Sequence, residues 1–303
     1  MSHTALITGA TGLLGREVTK SFKQAGWLTV GQGFNRAAPP TILKANLEDA
    51  SDVKRIIDEA KYVPDACENN PEQARRLNIE ATRILAEETS SRGILLIYIS
   101  TDYVFPGTEG EAPYEADSAT NPPNIYGEMK RAGEVAVLEA TKESGFGLVL
   151  RLPLLYGHAE YNGESAVNTI LDAVEKSSKD AAAGIKMDDW ALRYPTNTQD
   201  VGRVCNDIAV RYIRAKDNIK SLPKILQFSA EEDMTKYDMA QRFAKILNIE
   251  IPGMIANKEG NDPNAAVKRP YNTHLSTKVL REVGVNVQTV KFDDWWRAYL
   301  RKP

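Results

Sequence analysis

Cysteine is scarce in this chain. Cys67 and Cys205 are the two thiols in 303 residues, too few and too far apart for a disulfide framework, and that usage fits a reducing compartment. Histidine is sparse as well. His3, His158 and His274 stand alone, with no grouped acids or thiols beside them, so no metal site is expected. No apolar run reaches the roughly 18 residues of a membrane span. Positive charge is not in excess: 38 Lys and Arg against 41 Asp and Glu leave a net charge of −3. That balance excludes the electrostatic footprint of a nucleic-acid or anionic-membrane binder. The first strand pattern begins at residue 4, which leaves no room for a signal peptide, and a cytoplasmic protein is expected. Internal repeats and low-complexity runs are missing too.

What is present is ordinary globular material, 42% hydrophobic and 26% charged, in a chain long enough for a large core and a smaller lobe. Its centre is the stretch from residue 95 to residue 130. Leu95-Leu96-Ile97-Tyr98-Ile99 reads as a strand buried on both faces. It ends at Ser100-Thr101-Asp102, and after a Pro/Gly-rich loop Tyr126-Gly127-Glu128-Met129-Lys130 opens a helix. Residues four apart share a helical face, so Tyr126 and Lys130 project toward one point. An ammonium favours the phenolate of a neighbouring tyrosine and makes it a usable proton donor and acceptor. With the Thr101 hydroxyl holding a carbonyl, this is the constellation of a hydride-transfer site. A second Tyr-x-x-x-Lys, Tyr212 to Lys216, has no such context and reads as a solvated helix face.

At the start of the chain, Thr4-Ala5-Leu6-Ile7-Thr8 reads as a buried strand, and Gly9-Ala10-Thr11-Gly12-Leu13-Leu14-Gly15 opens a helix running to about residue 25. The glycines permit a tight turn, close approach of backbone to a pyrophosphate, and close helix–strand packing. The anion would rest on the helix N-terminus. A second strand, Trp27-Leu28-Thr29-Val30-Gly31, is followed by Gly33-Phe34-Asn35-Arg36 with no acid at the strand end. Asn35 and Arg36 therefore point to NADP, the guanidinium gripping a 2′-phosphate. A short third strand spans residues 42–45, with Asn46 and Leu47 as candidates for the adenine edge, and a helix over 49–60 follows.

A doubly wound sheet then requires a fourth strand, and the apolar run for it is missing. Residues 61–64 offer only Tyr62-Val63 before Pro64. The expectation is that this segment pairs poorly in the sheet, or that the natural chain carries further residues there. A helical region over 71–91 leads to the central strand. Beyond it come a helix over 126–143 and a strand over 147–152, whose end at Leu152 would lie beside the nicotinamide. This alternation predicts an α/β fold: a Rossmann-type doubly wound parallel sheet with a smaller C-terminal α/β lobe. The divisions expected are 1–157 for the NADP-binding domain and 158–303 for a substrate or partner lobe, with some return to the main domain. In the lobe, helices are expected over 164–176, from near Asp200 with Thr198 as cap, over 235–247 with Thr235 as cap, from Ser276, and over 292–300. A strand is expected over 225–228.

Gly9-x-x-Gly12-x-x-Gly15, Ser100-Thr101-Asp102-Tyr103-Val104-Phe105 and Tyr126-x-x-x-Lys130 together resemble the extended short-chain dehydrogenase/reductase family, and within it the dTDP-4-dehydrorhamnose reductase group. The resemblance implies Thr101, Tyr126 and Lys130 as the catalytic set, with Lys130 also holding the nicotinamide ribose. In the second half, Ser165-Ala166-Val167, Met187-Asp188-x-Trp190, Arg193-x-Pro195-Thr196, Met234-Thr235-Lys236-Tyr237-x-Met239-Ala240 and Arg269-Pro270 resemble the regulatory beta subunits of methionine adenosyltransferase. That likeness implies an NADP-binding regulator whose partner is the methionine adenosyltransferase catalytic subunit, in support of S-adenosylmethionine synthesis. The alternative it leaves is an NADPH-dependent reductase whose substrate is a 4-keto-6-deoxy nucleotide sugar. The beta subunits are expected to extend a C-terminal tail toward their partner. Here the sequence stops at Pro303, soon after the last helix, so contact is expected from the folded surface.

Overall fold

Four residues, Thr-Ala-Leu-Ile, make the first strand, β1 (Thr4–Ile7), and the last three are buried. In a computed structural model that describes residues 3–60, 76–261 and 268–300, β1 feeds the glycine turn and α1 (Leu13–Gln24). The chain returns through β2 (Leu28–Gly33) and β3 (Ile42–Lys44) to α2 (Ala50–Ala60). The expectation for residues 61–64 and the position of Cys67 lie outside the described residues. A π-helical turn (Arg76–Ala81) runs into α3 (Thr82–Ser91), then β4 (Leu96–Thr101), α4 (Ile125–Ala140) and β5 (Gly147–Leu152).

The second half adds β6 (Leu155–Tyr156), α5 (Thr169–Lys179), β7 (Ile185–Asp188), β8 (Thr196–Asn197) and α6 (Thr198–Arg214). It closes with β9 (Ile225–Gln227), α7 (Lys236–Leu247), β10 (Met254–Asn257), α8 (Lys278–Glu282) and α9 (Phe292–Leu300).

Among the described residues the central layer is parallel throughout and ladders in two halves. One has the order β1-β2-β3 and the other β4-β5-β9. Among the described residues β1 pairs only with β2, and β4 only with β5. A gap in the ladder separates the two halves among the described residues. Side chains nevertheless continue across it. Ala5 and Ile7 of β1 share one core with Ile97, Ile99, Leu148 and Leu150, beneath Val201, Val204 and Ile208 of α6. Leu6 shares the opposite core with Leu96, Tyr98 and Val149, together with Val53, Ile56 and Leu85. Period-two alternation thus sends matching sets to matching faces in both halves. On the first face α1 and α6 approach closely at Gly202, where a Cβ would lie 2.8 Å from the Glu17 carbonyl oxygen.

The lobe has its own core, in which Tyr156, Val174, Met239, Phe243 and Trp296 are buried. It returns to the main layer through α6, which covers one face, and β9, which extends the β4-β5 half. Several local expectations shift. The helix expected from Glu164 begins at Thr169, because the Ser165 hydroxyl accepts from the Val167 and Asn168 amides at 3.0 and 3.2 Å and holds a turn. Asn197, rather than Thr198, caps α6, accepting from the Gln199 amide at 2.9 Å. Thr277 occupies the cap position of α8 expected for Ser276, whose hydroxyl accepts from the Lys278 amide at 3.4 Å. A parallel pair, β7 with β10, was not expected. The Thr235 cap of α7 is as expected, with Asp238 completing a capping box.

Candidate functional site

Gly9 has φ of 53°, a left-handed value that suits glycine. Its carbonyl accepts from the Gly12 amide at 2.8 Å, closing the turn. A Cβ on Gly15 would lie 2.1 Å from that same carbonyl oxygen, so α1 can start this close to β1 only with glycine there. Gly12 is the N-cap of α1 and brings no side-chain acceptor to the first amides. The helix N-terminus is therefore left for an anion. Gln32, which no sequence motif marks, fixes the turn from behind. Its amide oxygen accepts from the Gly9 amide at 3.2 Å, and its NH2 donates to the Ala45 carbonyl at 2.9 Å. It is a buried polar residue at a strand end, and that placement was its only signal.

A cavity of about 890 Å³ opens in front of the turn. Thr8, Gly9, Thr11, Gly12, Leu14 and Gly15 form one wall with Arg36, and Tyr126 and Lys130 form part of the other. It continues between β1 and β4, where Leu6, Ile7, Leu96 and Ile97 line it. The remaining candidates do not line this cavity. Leu13 is the first residue of α1, and Asn35 sits in the loop beside Arg36. The Asn46 side chain accepts from the Glu48 amide at 3.1 Å. Leu47 and Leu152 are packed into the two opposite cores.

Thr101 ends β4 in register with Leu152. It is buried, its hydroxyl donates to Asp102 Oδ1 at 3.0 Å, and it accepts from the Tyr103 amide at 3.2 Å. A carbonyl ligand would have to win that proton from Asp102. Burial pushes the Asp102 carboxyl above its ordinary range, opposed by the Thr273 hydroxyl, at 2.6 Å, and by the Arg193 charge.

Asn124 caps α4 through the Gly127 amide at 3.0 Å and so aims its first turn. Tyr126 is 44% exposed, while Lys130, one turn on, is buried with its Nζ 4.4 Å from the centre of the Tyr98 ring. The Tyr103 ring meets Tyr126 edge-on at 6.2 Å. Burial raises the Tyr103 phenol above its usual value, with Arg193 and Arg269 opposing. No group of metal-ligand type assembles among the described residues, and none of their helices is long and apolar enough to cross a membrane.

The Arg36 guanidinium is not an isolated loop charge. It pairs with Glu160, and its Nη2 lies 3.5 Å from Glu164 Oε1. Arg16 joins the same pair of acids, donating to Glu164 at 3.0 and 2.5 Å and to the Thr11 carbonyl at 2.6 Å. The second Tyr-x-x-x-Lys also differs from its expected solvated face. Tyr212 is fully buried in the core under α6, its hydroxyl donating to the Pro223 carbonyl at 2.5 Å.

A glycine turn between β1 and α1, parallel strands under helices, and Tyr126 and Lys130 one turn apart on α4 define a Rossmann-type fold of the short-chain dehydrogenase/reductase class. Within that class the chain belongs to the RmlD substrate-binding domain family, whose pattern matches residues 3–300. It is 40% identical over 295 residues to methionine adenosyltransferase 2 subunit beta of Xenopus tropicalis, covering 94% of this chain and 84% of that one. It is 36% identical over 154 residues to a dTDP-4-dehydrorhamnose reductase of Streptomyces griseus, covering half of each. Its fold superposes with a TM-score of 0.79 on dTDP-4-dehydrorhamnose reductase from Bacillus anthracis in complex with NADP, at 20% identity and over 99% of both chains.

Proposed function

We propose that this protein is an NADP-binding regulatory subunit of methionine adenosyltransferase, acting on the catalytic subunit in support of S-adenosylmethionine synthesis. The observation that carries the reading is its reach. Sequence identity of 40% to the beta subunit runs through nearly the whole chain, whereas the sequence alignment with the Streptomyces griseus reductase covers half of it. The residues fit a dinucleotide. Gly9, Thr11 and Gly12, with the uncapped start of α1, would hold the pyrophosphate, Arg36 the 2′-phosphate, and Lys130 the nicotinamide ribose. Bound there, the nicotinamide would supply a hydride. The lobe over 158–303 would then present the partner surface through its exposed residues, since Met187, Arg193 and Met234 of its motifs are buried.

The placing of Tyr126 and Lys130 on the cavity wall favours a second reading, NADPH-dependent reduction of a 4-keto-6-deoxy nucleotide sugar. Calorimetry of this protein with a methionine adenosyltransferase catalytic subunit, with and without NADPH, separates the two. Heat of binding and altered adenosyltransferase kinetics support the regulator. No heat in either condition, together with robust reduction of dTDP-4-dehydrorhamnose, identifies a reductase instead.

A further inference from the structure

The four charges around Arg36 sum to zero: two guanidiniums, Arg16 and Arg36, against two carboxylates, Glu160 and Glu164. The two acids differ in how firmly they are held. Glu164 is an anchor. Its side chain is 6% exposed, it takes two hydrogen bonds from Arg16 at 3.0 and 2.5 Å, and it accepts from the Glu160 amide at 2.9 Å. Its carboxyl is held below the usual range, first by the Arg16 hydrogen bond. Glu160 is different. Its side chain is 53% exposed, and it meets the outer edges of Arg36 and, at 3.4 Å, Arg16.

Arg36 also lines the cavity beside Gly9, Thr11 and Gly12. A phosphate arriving there would face the Glu160 carboxylate across the guanidinium both require. Like charges in that position repel, and the cluster would become doubly negative unless one acid leaves.

We propose that Glu160 is a displaceable competitor for Arg36 and sets how strongly the site prefers a 2′-phosphorylated adenosine over an unphosphorylated one. Glu164 keeps Arg16 and the turn at Thr11 in place, while Glu160 gives way to the phosphate. This rests on the dinucleotide part of the function proposed above. It assigns a specificity role to a residue 124 positions from Arg36 in the chain.

The test uses the adenosine end alone. Adenosine 2′,5′-bisphosphate and 5′-AMP are titrated by calorimetry into the unmodified protein, Glu160→Gln, Arg36→Ala and the double variant. Exposed ion pairs contribute modestly, so Glu160→Gln is expected to tighten the bisphosphate about three- to fivefold while leaving AMP unchanged. In the Arg36→Ala background the same substitution is expected to change neither ligand. Equal tightening of both ligands, or an unchanged bisphosphate affinity in a protein that still prefers it to AMP, overturns the role of Glu160 and leaves the dinucleotide reading standing. Failure of the unmodified protein to bind either nucleotide overturns both.

Discussion

Arg151 grips Glu134 with two parallel hydrogen bonds, Nε to Oε1 at 2.8 Å and Nη2 to Oε2 at 2.9 Å, and both side chains are essentially sealed from water. Ser100 adds a third bond to Glu134 at 2.6 Å. The pair ties α4 to β4 and β5, below the first turn that carries Tyr126 and Lys130. Removing one partner strands the other as a buried charge. Glu134→Ala should therefore lower unfolding stability by about 3–5 kcal/mol in urea. Replacing both residues by apolar ones of similar volume should cost much less.

Gly15→Ala tests the turn. Its Cβ would have to displace the Gly9 carbonyl from 2.1 Å, and overpacking of this kind costs about 1–3 kcal/mol. Thermal unfolding should fall accordingly, and NADPH titration should weaken. Gly93→Ala serves as the contrast, since open space surrounds a Cβ there and any loss comes from its φ of 62° alone.

Tyr126 and Lys130 separate binding from chemistry on the proposed reading. Lys130→Ala removes a charged hydrogen bond worth about 1.5–3 kcal/mol, so NADPH should bind about tenfold or more weakly. Tyr126→Phe should leave that affinity within about twofold and abolish any ketone reduction the protein shows. Full reduction by Tyr126→Phe would remove the tyrosine from the site.

His274 sets an acid limb. Its ring stacks on Tyr194 at 4.0 Å, and burial pulls its pKa below the ordinary 6.5, against the opposing charges of Glu231 and Asp233. A lowered folded pKa means that the unfolded chain takes up the proton first. Stability should be full above 6.5 and fall as pH drops through that value toward the folded pKa. Urea midpoints measured from about pH 7.5 down to about pH 5 should show the fall, and His274→Gln should flatten it.

The contrast between local and distant signals explains what the sequence could tell. The glycine turn, the ends of β1 and β4, and the spacing of Tyr126 and Lys130 were legible because each is written within a few residues and enforced by backbone geometry. The β7–β10 pair was not, since four residues of mixed exposure at Ile185–Asp188 carry no clear period. Tyr212 read as solvated because no strand end or glycine turn stands beside it, although Ile208 and Ala209, one turn before it, share its buried face. The clasp of Glu160 and Glu164 on Arg36 depends on residues more than a hundred positions apart, and no motif spans that distance.

The interrupted layer has a consequence for how this molecule comes apart. Among the described residues no backbone ladder joins β1 to β4, and side-chain packing in two shared cores links these strands. A seam of that kind divides cooperativity, and the β1–β2–β3 half should open to hydrogen exchange before the half pinned by Glu134 and Arg151. The cavity crosses the same seam, with Gly9, Gly12 and Arg36 on one bank and Tyr126 and Lys130 on the other. A molecule lodged there acts as a brace, so occupancy and the integrity of the whole layer become one thermodynamic quantity.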